Sequence, residues 1–126
     1  MKISQKDKHW YVADFETTGE NEYLITGRTR VWLYSITNEN AEIQEDGDSI
    51  DGFFKWCSQH HGALIYFHNL KFDGNFIISW LLENGFPYEE NLLCHSKKGF
   101  NTLIGEMGEF YQIKINFAPN KQVTLY

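Results

Sequence analysis

The chain has 126 residues, 42% of them apolar and 17% aromatic, which suits one domain with a modest core and excludes a disordered segment. Its formal net charge is −6, with a sequence pI near 5.3. A domain that grips duplex nucleic acid by neutralising phosphates is usually basic, so the chain does not read as a self-sufficient DNA binder, although carboxylates that hold divalent cations make acidity expected. No apolar run approaches the roughly 18 residues that span a bilayer. The start, Met1-Lys2-Ile3-Ser4-Gln5-Lys6, lacks the apolar stretch of a signal peptide. These features point to the cytoplasm and away from the membrane, with Cys57 and Cys94 as free thiols.

Residues 1–8 are polar and read as frayed. His9 to Thr17 alternates as a strand, with Tyr11, Ala13 and Phe15 on one face and Val12, Asp14 and Glu16 on the other. Apolar residues on both faces mark it as a central strand. Thr18 to Thr29, with Gly19 and Gly27, reads as a loop, and Arg30 to Thr37 as a second strand. Asn38-Glu39-Asn40 is a turn signal before a short strand from Ala41 to Glu45. Asp48-Ser49 offers an N-cap to a helix carrying Ile50, Phe53, Phe54 and Cys57 and ending near His61-Gly62. Ala63 to His68 follows as a strand. Phe72 to Asn84 is then a helix whose apolar side is Phe72, Phe76, Ile77, Trp80 and Leu81, stopped by Gly85 and Pro87. Phe100–Glu106 and Phe110–Phe117 read as strands joined around Met107-Gly108, and a last strand, Gln122 to Tyr126, follows Pro119-Asn120. The order implies a mixed α/β sheet.

The chemistry concentrates in two places. Asp14 and Glu16, two apart on a strand, point the same way, and two such carboxylates repel unless a proton or cation lies between them. Asp73 follows Asn69 by four residues, so a helix beginning near Leu70 would turn both side chains to one side, with its amides near an anion. Oxygen-only ligands favour Mg²⁺ or Mn²⁺ over zinc, and a pair of such ions can activate a water and stabilise the leaving oxygen of a phosphodiester. Tyr66, His68, Phe72 and Phe76 surround this group, and unpaired bases stack on such side chains without regard to sequence. An Asp-x-Glu pair alone is commonly solvated surface, and Phe72 with Phe76 one turn on is also an ordinary core pattern. His60-His61 reads as a helix end, Cys94-His95 has no matching zinc partners, and Lys97-Lys98 is a solvated loop.

Asp14-Phe15-Glu16-Thr17-Thr18 resembles the first exonuclease motif of family B DNA polymerases. Tyr66-Phe67-His68-Asn69-Leu70-Lys71-Phe72-Asp73-Gly74 resembles the second, in the form found in protein-primed phage polymerases. The likeness runs on through Phe76-Ile77-Ile78-Ser79-Trp80-Leu81, Asn84-Gly85-Phe86, Asn101-Thr102, Met107-Gly108 and Tyr111, covering roughly residues 9–126; only the stretch between Gly19 and Thr29 is longer than such a chain leads one to expect.

The resemblance implies a ribonuclease-H-like (DnaQ-like) α/β exonuclease fold with 3′→5′ proofreading activity, in the cytoplasm of the host cell for a phage protein. It makes Asp14, Glu16 and Asp73 the catalytic ligands of two Mg²⁺ or Mn²⁺ ions, and gives Thr17, Tyr66, His68, Asn69, Phe72 and Phe76 the single-stranded DNA 3′ end. The remaining polymerase domains and the priming terminal protein are the implied protein partners. The third motif, a Tyr followed four residues later by an Asp, has no counterpart: Asp73 is the last aspartate, and none of Glu83, Glu89, Glu90, Glu106 and Glu109 follows a tyrosine at that spacing. Residues 1–126 therefore read as a partial exonuclease domain, C-terminally incomplete and without a polymerase domain. Its activity is expected to be weak or absent, since losing one of four metal carboxylates costs orders of magnitude. The alternative is a catalytically dead stand-alone relative that binds a protein or DNA partner; a small nuclease completed by a second copy ranks below it. Sheet surface left without covering helices invites homo-oligomerisation.

Overall fold

The computed structural model describes residues 9–17, 31–93, 95 and 97–126, and of Trp32 the backbone only. The expected frayed start, the Thr18–Thr29 loop and Cys94 lie outside the described residues. Among the described residues seven strands form one sheet: β1 (Trp10–Thr17), β2 (Val31–Asn38), β3 (Ile43–Gly47), β4 (Leu64–Phe67), β5 (Gly99–Ile104), β6 (Phe110–Ala118) and β7 (Lys121–Leu125), in the spatial order β3-β2-β1-β4-β7-β6-β5. The central strands β1, β4 and β7 run parallel, and the flanking pairs are antiparallel. Helix α1 (Ile50–Ser58) joins β3 to β4, and α2 (Leu70–Glu83) follows β4.

The turns form where the sequence puts residues able to make them. Asn38 Oδ1 accepts from the backbone N–H groups of Asn40 and Glu42, both at 3.0 Å, closing the β2–β3 connection. Asn120, at φ 61, turns β6 into β7. Ser49 caps α1, its hydroxyl accepting from the Gly52 N–H at 3.4 Å.

Both helices pack on one face of the sheet. Tyr11, Ala13 and Phe15 of β1, Ile36 of β2, Ile65 of β4, Val123 and Leu125 of β7 and Ile113 and Ile115 of β6 are buried there. Phe53 of α1 is fully buried, with ring contacts to Phe15 at 5.0 Å and Phe67 at 5.8 Å. Phe54 stacks flat on Trp80 of α2 at 3.9 Å, and the Trp80 indole donates to Asp51 Oδ1 at 2.6 Å, tying the two helices together. Burial, then the bond to Glu45, pushes the Tyr34 phenol up to about 12, so it stays neutral.

The expected central place of β1 is found, paired on both sides, and among the described residues its odd-numbered face is the covered one: Trp10, Asp14 and Glu16 are exposed, because both described helices lie on the other side. One expectation needs correction. Helix α2 begins at Leu70 rather than Phe72, since Asn69 O already accepts from the N–H groups of Phe72 and Asp73, at 3.1 and 2.9 Å. Its buried side is accordingly Leu70, Asp73, Gly74, Ile77 and Leu81, while Phe72 stays 45% exposed and Phe76 half-buried.

Candidate active site

Strand alternation and register set the open face, the one opposite the helices. On β1, Glu16 lies opposite Leu33, Asp14 opposite Ser35, and Val12 opposite Thr37 and Tyr66. Asp14 and Glu16 border a cleft of about 70 Å³ together with Leu33, Tyr34 and Ser35. The ladder slips between Glu16 and Thr17, an irregularity of the kind that re-aims side chains beside sites.

Asp73 arrives from the first turn of α2, directly after β4. Asp73 is 6% exposed. The neighbouring Gly74 packs so closely on β6 that a β-carbon there would lie 2.7 Å from a ring carbon of Phe110, an approach that suits a glycine. Burial, with the charges of Asp14 and Glu16 acting in the same direction, pushes the Asp73 carboxyl up to about 6. Asp73 thus lies within the electrostatic reach of Asp14 and Glu16 near the carboxyl ends of the adjacent parallel strands β1 and β4, the edge where open α/β sheets place ligands. Among the described residues, no three His, Cys, Asp or Glu side chains are grouped closely enough to hold an ion as they stand.

The remaining expected site residues surround this edge. His68 and Asn69 are exposed between β4 and α2, and the Asn69 side chain makes no capping bond. Tyr66 is 42% exposed on the open face, and Phe72 meets Phe76 edge-on at 5.3 Å. Thr17 is half-buried at the end of β1. The sequence reading gave no place to Gly74, which was visible only as the residue after Asp73.

A seven-stranded mixed sheet with a parallel centre, carboxylates on its first strand and a third carboxylate on the helix after β4 define a ribonuclease-H-like α/β domain. Fold and sequence agree on its relatives. The DNA polymerase of Bacillus phage phi29 is 42% identical over 106 residues, 83% of this chain, and that of Bacillus phage Nf is 38% identical over 109 residues, 86% of it. Solved phi29 DNA polymerase complexed with single-stranded DNA superposes with a TM-score of 0.76 at 35% identity over 94% of this chain. Its complex with primer-template DNA gives 0.75, likewise at 35% identity and 94% coverage. The chain is a homologue of the phi29-type phage DNA polymerases. It spans 17% and 18% of the length of the two curated relatives and 20% of each solved chain. No protein-family model matches it. No helix among the described residues is long and apolar enough to cross a membrane.

Proposed function

We propose that this domain is the 3′→5′ exonuclease part of a protein-primed phage DNA polymerase, hydrolysing the terminal phosphodiester of a single strand. The observation that carries the reading is the placement of Asp14 and Glu16 on β1 and of buried Asp73 in the first turn of α2, directly after the adjacent parallel strand β4, with the charges of Asp14 and Glu16 acting on Asp73. Three like charges, one of them desolvated, need a cation among them, and an all-oxygen donor set fits Mg²⁺ or Mn²⁺. Bound there, a pair of such ions would supply an activated water and neutralise charge on the leaving oxygen. Asp14 and Glu16 present their carboxylates from the rigid centre of the sheet, and Asp73 closes the group from the helix. Exposed Tyr66 and Phe72 offer ring faces to unpaired bases, Phe76 supports Phe72, and Thr17, His68 and Asn69 supply polar contacts to the strand end. The solved relative that holds single-stranded DNA supports that substrate class. The terminal protein and the other polymerase domains are the partners this reading gives the whole protein.

The test is release of nucleoside monophosphates from a 5′-labelled single strand with Mn²⁺ or Mg²⁺. Slow shortening from the 3′ end, lost with EDTA and in Asp14→Ala, is expected. Cleavage that survives in Asp14→Ala contradicts the proposal.

A further inference from the structure

Helix α2, which carries Asp73, leaves β4 but packs most extensively on β6, two places away in the sheet. At its first turn the contact is made by Phe110, the first residue of β6. A β-carbon at Gly74 would lie 2.7, 3.0 and 3.3 Å from three carbons of that side chain, so Phe110 rests on the backbone immediately after Asp73. Strand alternation alone would not put Phe110 there. Ile113 and Ile115 of β6 are buried on the helix side, and the residue of matching parity at the start of the strand is Tyr111. The β5–β6 ladder slips at this point: Leu103 pairs with Gln112 and Ile104 with Phe110, which leaves Tyr111 as an extra residue on β6. Such a bulge reverses the parity, and bulges of this kind re-aim side chains beside active sites. Tyr111 is turned outward and exposed, its hydroxyl donating to Glu109 Oε1 at 2.9 Å and its ring lying against Gly105. Phe110 takes the inward place, packed against the core.

We infer that the bulge at Tyr111 makes Phe110 a positioning residue: its ring holds the first turn of α2, and with it Asp73, near the carboxyl end of β1. The inference rests on the exonuclease reading for what Asp73 is positioned to do. The turn needs such a support. Asn69 O accepts from the N–H groups of Phe72 and Asp73, but the Asn69 side chain makes no capping bond. Ser49 restrains the start of α1 with its hydroxyl, whereas the start of α2 relies on packing, with Leu70 buried beneath it and Phe110 against Gly74. Both contacts lie between elements in the interior of the chain.

The test pairs amide hydrogen exchange of the metal-free protein with calorimetric titration of Mn²⁺ at pH 7. Phe110→Ala should speed exchange at Phe72 and Asp73 relative to the amides of β4. It should also weaken Mn²⁺ binding about tenfold, the low end of the loss when the support of a metal ligand is removed. Phe110→Leu, a milder cut, should shift both readouts the same way by less, and Phe110→Tyr, which keeps the ring, should match wild type. Leu81→Ala empties a fully buried place two turns further along α2 and should move neither. Unchanged exchange at Asp73 in both Phe110→Ala and Phe110→Leu overturns the proposal. So does a loss in Leu81→Ala equal to that in Phe110→Ala, which would make Phe110 one core residue among others. Faster exchange at Asp73 in Phe110→Ala, in a protein that binds no Mn²⁺ in any form, would sink the exonuclease reading and leave the hold on the turn standing. Asp14-dependent Mn²⁺ binding that no Phe110 variant alters would do the reverse.

Discussion

The two faces of the sheet are built on opposite terms. The helix-covered face buries Phe53, Ile36, Ile65, Ile113 and Leu125 completely and ties its two helices with the Phe54–Trp80 stack. The open face leaves Trp10, Leu33, Leu64 and Tyr66 in water and sets Asp14 and Glu16 where Asp73 must feel both. One face spends nothing on unsatisfied chemistry, while the other tolerates exposed rings and repelling charges that a fold alone does not require. Most of the buried core thus lies on the covered face and the proposed site on the open one, with Asp73 at the boundary.

The division can be tested by substitutions, the largest effect first. Phe53→Ala removes a fully buried ring and should cost about 3–5 kcal/mol in denaturant unfolding. Asp14→Ala, on the open face, should change stability by no more than about 0.5 kcal/mol. Equal losses at the two positions would erase the distinction. Gly74→Ala would drive a methyl group into Phe110 and should cost about 1–3 kcal/mol. A crystal structure of that variant should show Asp73 displaced from its buried place.

Asp73 sharpens the boundary through pH. Its folded pKa lies above its ordinary value, so the stabilisation it allows is complete below pH 3.8 and is lost as the pH rises toward about 6. Urea titrations of the metal-free protein should therefore show wild type losing stability across that window relative to Asp73→Asn. At pH 7 the variant should be more stable by on the order of 2 kcal/mol. Parallel curves for the two proteins would mean that Asp73 is not strained by its surroundings. On the covered side, Ser49→Ala should cost about 1 kcal/mol for a lost helix cap, read from the denaturation midpoint.

Much of the fold was legible because its periodicities are local. The alternation of Tyr11, Ala13 and Phe15 against Asp14 and Glu16, the Ser49 cap, and the turns at Asn38 and Asn120 each follow from short-range chemistry. What escaped depended on long-range packing. Of the expected apolar side of α2, Ile77 and Leu81 are fully buried, but the inward face is completed by Leu70, Asp73 and Gly74, and Phe72 turns outward. The emptiness of the face behind β1 likewise depends on where both helices land, which no single segment encodes. The likeness to polymerase motifs was readable in Asp14, Glu16, Tyr66 and Asp73, and the homology bears out that ancestry. That Asp73 is the buried member of the three came only from the structure.

The proposed function gives Asp14, Glu16 and Asp73 a divalent cation to hold. Its most direct test is calorimetric titration of Mn²⁺ into wild type, Asp14→Ala and Asp73→Asn at pH 7. Saturable binding to wild type that weakens at least about tenfold in each variant is predicted, since each loses one charged oxygen ligand. Binding of the same strength in all three proteins would contradict the account.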